Sequence, residues 1–199
     1  MGRHREFDVD EALEAALRVF WRKGYEGTSY TDLTEATGVA RPALYSAFGN
    51  KEDLFRQVLT RYYAEYLAFF PAAMAQPTAR KVVEKIFSDA AELHTRYHDR
   101  RGCLGIHGAL AGSDEVAAIQ AALIDARNAG EETLRQRLEL AQRQGDLPAH
   151  ADPAILAGFV LMVLHGMAVQ AKAGVERATL DAVAAQALAG WPSPVDNDL

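Results

Sequence analysis

Apolar residues recur every three to four positions along most of this chain, and glycine, proline or short polar runs separate the recurrences. Leu13, Ala16, Leu17, Phe20 and Trp21 form the first stripe. Asp8-Val9-Asp10-Glu11 opens it with an oxygen acceptor followed three residues later by a carboxylate, and Lys23-Gly24 closes it with a cation and a residue free to turn left-handed. The pattern predicts a helix from Asp8 to Lys23. Ser29 and Asp32 repeat the opening, so a second helix runs from about Tyr30 to Thr37, and Gly38 turns the chain sharply. A third follows almost at once, from about Arg41 to Phe48. Pro42 suits its first turn, where a missing N–H has no intrahelical partner to lose and φ is already helical. Leu44 and Phe48, four apart, anchor this short helix inward and leave Arg41, Ala43, Tyr45 and Ser46 to face elsewhere.

Asn50 and Asp53 cap a fourth helix, striped by Leu54, Phe55, Val58, Leu59, Tyr62, Tyr66 and Phe69 to about Phe70 without a break. The proline-bounded "FPAAMAQPTA" then interrupts it. Further helices are expected over about 78–98, 103–111, 115–144, 153–174 and 179–190, and the tail "WPSPVDNDL" should fray. The whole is all-α, with about nine helices.

Composition agrees with this. Hydrophobic residues make up 49% of the 199 residues, and alternating β-branched runs are absent. No apolar run reaches the roughly 18 residues of a membrane span; Ala154 to Ala171 is interrupted by Gly158, His165, Gly166 and Gln170. The start "MGRHREFDVDE" lacks the apolar core of a signal peptide, and Glu6 stands where a myristoylation signal needs Ser or Thr. The single Cys103 excludes an intramolecular disulfide framework. A cytoplasmic protein without membrane contact is expected. The net charge of −6 argues against a general polyanion binder, yet the window from Ala36 to Lys51 holds no acid, only Arg41 and Lys51.

Three short helices with this spacing, followed by a larger helical body, resemble the TetR/AcrR family of transcriptional regulators. The residues that carry the resemblance are "GTSYTDLTEATGVARPALYSAFGNKEDLF", Gly27 to Phe55. They match its G-x-T-T start, its G-V turn, L-Y-x-x-F and K-x-x-L. The chain departs from the pattern at Ala47, where His is usual, at Ala40, where Ser would cap the third helix, and at Thr34, where Ala is common. The resemblance implies a helix-turn-helix DNA-binding domain at 1–50 (the motif about 29–48) and a helical ligand-binding and dimerisation domain at 51–199. It also implies a homodimeric repressor that binds an inverted-repeat, double-stranded operator and is released by a small effector.

The residues carry their own case for DNA reading. Arg41 is the one long donor at the start of the third helix, and arginine bonds guanine O6 and N7 in bidentate fashion. Ala43 suits a thymine methyl, with Pro42 crowding the same region and Ser46 on the same side. Tyr45 should give its hydroxyl to a phosphate, as the matching family position does; packing is the alternative for a tyrosine there. Lys51 and the first N–H groups of the fourth helix suit a second phosphate, and Thr28, Ser29 and Tyr30 a third, Ser29 being also a helix cap. Arg3, His4 and Arg5 form either a minor-groove arm or a soluble tail.

A second subunit would set a second recognition helix about 34–36 Å away. Ala157, Leu161, Leu164 and Ala168 on the eighth helix and Leu180, Val183, Ala187, Leu188 and Trp191 on the ninth are the candidate dimer interface, with intrachain core as the competing assignment. An effector pocket for an apolar or aromatic ligand would draw on Phe69, Phe70, Met74, Phe87, Tyr97, Cys103, Leu104, His107, Phe159, Met162 and His165, each of which could equally be ordinary core. His94, His98, Cys103 and His107 have the paired four-residue spacing of a metal or redox sensor, the rival to a purely organic effector. No cofactor is called for. No nucleophile triad, paired inward carboxylates or phosphate loop appears, so an enzyme is not expected; a helical interaction protein that does not bind DNA is the other rival.

Overall fold

The computed structural model describes residues 7–99, 101–106 and 116–193 and is helical throughout its regular structure. It divides into two compact units, 1–67 with 104–121 and 68–103 with 122–199.

The first unit is built by its caps. Helix α1 (Val9–Lys23) opens on Asp8, whose carboxylate accepts from the N–H groups of Asp10 and Glu11 at 2.8 and 3.1 Å, and closes at Gly24 with φ 75°. Helix α2 (Tyr30–Thr37) carries the full reciprocal box. Asp32 N–H donates to Ser29 Oγ at 3.1 Å, and Ser29 N–H to Asp32 Oδ2 at 2.9 Å. Gly38, at φ 66°, then reverses the chain into α3 (Arg41–Phe48). Ala40 gives α3 no side-chain cap. Helix α4 (Lys51–Arg61) begins on the Asn50–Asp53 box, and Gln57 reaches back to donate to the Phe48 carbonyl at 3.0 Å, closing the end of α3. Leu17, Phe20, Trp21, Leu33, Leu44, Phe55 and Val58 fill the core between α1, α2, α3 and α4.

Helix α4 does not run unbroken to Phe70. It widens into a π turn over Tyr62–Tyr66 and stops, and a separate short helix, α5 (Phe69–Met74), occupies the stretch expected to be a break. Pro71 gives the reason: in a continuous helix its ring would strike the carbonyl four residues back, that of Leu67. The π turn lets Tyr62 and Tyr66 both meet Trp21 edge-on, at 4.9 and 4.8 Å between ring centres. Tyr66 also donates its hydroxyl to Glu14 at 2.6 Å, and Arg61 clasps the carbonyl and carboxylate of Asp10. Packing thus carries the first unit to Leu67, beyond the boundary at residue 50 expected from the motif.

In the second unit α5 packs on α6 (Ala79–Thr95), and α6 on α8 (Pro153–Lys172) and α9 (Arg177–Ala189); most of α7 (Ala117–Arg143) belongs to the same unit. Their shared core includes Val83, Phe87, Leu138, Ala157, Leu161, Met167, Leu180 and Trp191. Arg137 of α7 donates to the carbonyls of Met74 and Gln76 at 3.0 and 2.8 Å, satisfying the free end of α5. Helix α8 runs continuously through Gly158 and Gly166, close to its expected span of 153–174; by length and composition alone it is apolar enough to cross a membrane, where no apolar run of that length is expected from the sequence, and 33% of its most apolar stretch is buried within the chain.

Candidate nucleic-acid interface

Helix α3 has two unlike sides. Leu44 and Phe48 are buried, at 2% and 3% exposure, and fix the helix against its unit. Arg41, Pro42, Tyr45 and Ser46 are exposed, and Ala43 is half-buried between the two sides. The side chains expected to read bases therefore lie on the open face at the helix start. Among the described residues no carboxylate is ion-paired with Arg41. Its guanidinium instead lies 4.1 Å from the centre of the Tyr30 ring and 5.6 Å from that of Tyr45, and the two rings stack at 5.1 Å. The adjacent guanidinium holds the Tyr45 hydroxyl below its ordinary pKa. Tyr30 is half-buried, and its hydroxyl, sealed from solvent, is pushed up to about 12, first by burial and then by the Tyr45 hydroxyl beside it.

Lys51, at the start of α4, lies 4.5 Å from the centre of the Tyr25 ring, and partial burial draws its pKa down. Tyr25 had no role in the sequence reading. It stacks on Phe20 and meets Phe55 edge-on, so it carries the lysine on a ring fixed by the core; an aromatic in the "GYEG" loop was the available signal. Ser29 is exposed and serves as cap, its hydroxyl donating to Asp32 at 2.9 Å. Asp32 also receives Lys23 at 2.5 Å, and that bond first, then Ser29, hold its carboxyl well below the usual range. Thr28 departs from expectation. It is 1% exposed, and its hydroxyl donates to the Gly24 carbonyl at 2.7 Å, so it secures the α1–α2 loop and offers nothing to a phosphate. Arg3, His4 and Arg5 lie outside the described residues.

The other expected sites fare less evenly. Of the dimer candidates, Ala157, Leu161, Ala168, Leu180, Leu188 and Trp191 are buried in the chain's own core, Leu164 and Ala187 are half-buried, and Val183 is exposed. The open face of α8 is formed instead by Ile155, Phe159, Met162 and Val169. Phe159 and Met162 therefore point away from any internal pocket. Phe87 is buried core, Phe70 and Met74 pack partly against that core, and Phe69 and Cys103 are half-buried. Leu104 is buried within the first unit, and His107 lies outside the described residues. His165 is half-buried, its pKa lowered to about 4 by burial and by Arg127. Tyr97 borders a cleft of about 630 Å³ between the end of α6 and the α8–α9 turn, lined largely by charged and polar residues. Among the described residues no three His, Cys, Asp or Glu side chains are placed to share a metal ion. Helix α6 ends at Thr95, so buried His94 and exposed His98 lose the helical register that paired them.

Residues 12–58 match the family model for bacterial regulatory proteins of the tetR family, and residues 77–187 that for a tetracyclin repressor-like C-terminal domain. The chain is 35% identical to the HTH-type transcriptional repressor ComR of Escherichia coli (strain K12) over 98% of its length and 93% of that repressor. The chain belongs to the TetR family. Two further likenesses extend this. The HTH-type transcriptional repressor AcnR of Corynebacterium glutamicum is 32% identical over 78% of this chain and 77% of its own. A cysteine mutant of the TetR-family regulator CifR, solved with a 26-bp double-stranded operator DNA, superposes with a TM-score of 0.91 at 40% identity, covering 96% of this chain and 100% of that one. This TetR-family member is a DNA-binding transcriptional regulator, and α2–turn–α3 is its helix-turn-helix.

Proposed function

We propose that this TetR-family protein is a homodimeric, cytoplasmic repressor that holds an inverted-repeat operator through α3 of each subunit and lets go when a small, largely apolar effector binds. The observation that carries the reading is the open, acid-free face of α3, with Arg41 and Tyr45 side by side and Lys51 at the next helix start. Arg41 reads a guanine; Tyr45, Lys51 and the α2 start around Ser29 bind phosphates and set the register. DNA reading belongs to residues up to about 50, and effector and dimer to those beyond. That CifR was solved on operator DNA, and that ComR and AcnR are repressors, supports the same reading.

The dimer is read from α8. Ile155, Phe159, Met162, Gly166 and Val169 follow one another at alternating four- and three-residue steps, the spacing of a helix–helix seam, with Val183 exposed on α9. Gly166 has nothing within 4 Å of where a Cβ would stand, so a second helix can approach closely there. An apolar effector is supported by Phe70 and Met74, half-buried on α5 against the core.

The test is fluorescence anisotropy of the full-length protein on duplexes it selects from a random pool, titrated from about 50 to 200 mM salt. Binding to an inverted repeat that weakens by orders of magnitude over that range is expected. No selected duplex, or a salt-insensitive one, would end the reading.

A further inference from the structure

Arg41, Tyr30 and Tyr45 form a triangle, not a column. The guanidinium is 4.1 Å from one ring centre and 5.6 Å from the other, while the rings, 21° from parallel, are 5.1 Å apart. Arg41 thus leans on both rings at once. Tyr30 heads α2 and is half-buried, whereas Tyr45 and Arg41 belong to α3 and are exposed. The pairing ties the N-terminal residue of one helix of the motif to the reading side of the other.

A guanidinium carries its five N–H donors in its plane and none on its faces. A guanidinium that lies over a ring, with no carboxylate on it, keeps N–H donors for the O6 and N7 of a guanine. A long side chain already held in place also loses less freedom when it binds. With no carboxylate paired to it among the described residues, the charge of Arg41 stays available to DNA.

We propose that Tyr30 is a specificity-determining positioning residue, whose ring holds the base-reading guanidinium of Arg41 in place on α3. Tyr30 acts through Arg41 and touches no base itself, because its hydroxyl is sealed beneath the surface. This rests on α3 being the recognition helix.

The test compares wild type with Tyr30→Phe, Tyr30→Leu, Arg41→Ala, Arg41→Lys and the Tyr30→Leu/Arg41→Ala double variant. Each is titrated onto a selected operator and onto the same duplex with single guanines replaced. Tyr30→Phe keeps the ring and should keep discrimination within about twofold. Tyr30→Leu should lose roughly tenfold of discrimination at the guanine that Arg41→Ala also makes indifferent, the size of a weakened bidentate contact. Its non-specific affinity and salt slope should not change. The double variant should be no worse than Arg41→Ala alone. Tyr30→Leu weakening all duplexes equally, or losses that add in the double variant, would overturn the proposal. Should Tyr30→Leu not fold, Tyr30→Met takes its place: a loss of discrimination confined to that guanine upholds the proposal, and no loss, or an equal loss on all duplexes, overturns it, while Arg41→Lys identifies the guanine that the planar fork reads. Wild type without preference for any duplex would instead remove the DNA reading itself.

Discussion

Leu161 and Met162 are neighbours on α8, about 100° apart around its axis, that meet different surroundings: Leu161 is 5% exposed within the core of its own unit, and Met162 is 76% exposed. The pair separates folding from assembly. Met162→Asp, or Ile155→Asp, should leave the helix content intact and yield a monomer by sedimentation. It should also weaken operator binding at least a hundredfold, since one half-site is then engaged at a time. Leu161→Ala should leave the seam in place and cost about 2–5 kcal/mol of stability through the cavity it opens. A dimer that survives Met162→Asp and Ile155→Asp together would move the interface elsewhere.

Lys51→Ala tests the phosphate role apart from base reading. Affinity should fall by a similar factor for every duplex, operator or not. The slope of log K against log salt should flatten by about 0.9 for each lysine removed from a phosphate. Arg41→Ala should instead cost about 1–3 kcal/mol, concentrated at one base pair of each half-site. Equal behaviour of the two variants would contradict the division of labour between α3 and the start of α4.

The first unit was legible in the sequence because its signals are local. Asp8, the Ser29–Asp32 and Asn50–Asp53 boxes, Gly38 and Pro42 each act within a few residues, and helices α1, α2 and α3 fall within a residue of their predicted ends. What failed depended on the conformation of loops and on which face the fold buries, even where the partner is close in sequence. Thr28 looked like a free hydroxyl until the fold gave it the Gly24 carbonyl. Helix α8 is apolar on both sides, so periodicity alone could not tell the face with Leu161 from the face with Met162. The stripe through Tyr62, Tyr66 and Phe69 hid the stop that Pro71 imposes. Tyr30 was legible as the first residue of α2, but its contact with Arg41 was not, because the two lie on different helices.

Ala40 has the extended backbone of an N-cap, φ −63° and ψ 143°, with a side chain that caps nothing. Ala40→Ser should add the missing hydrogen bond to α3 and stabilise the protein by about 1 kcal/mol. Ser29→Ala should cost a similar amount by opening the box at α2. Urea denaturation of both variants checks the pair, and an Ala40→Ser that lowers stability would show that the serine is held away from the α3 N–H groups.

His165 gives a pH dependence with a definite sign. Its folded pKa, about 4, lies below the ordinary value of 6.5, because burial and the nearby Arg127 charge disfavour the imidazolium. Between those values the unfolded chain binds a proton that the native state refuses, so stability falls as pH drops from about 6.5 toward 4. With the ring partly open to screening solvent, the loss by pH 5 should be about 1–2 kcal/mol. Denaturation midpoints for wild type and His165→Gln at pH 7 and pH 5 isolate it from the carboxylates, which titrate in both proteins. The wild type should lose more than the variant by that margin. Parallel losses in the two would mean that His165 takes up its proton in the folded protein as readily as in the unfolded chain.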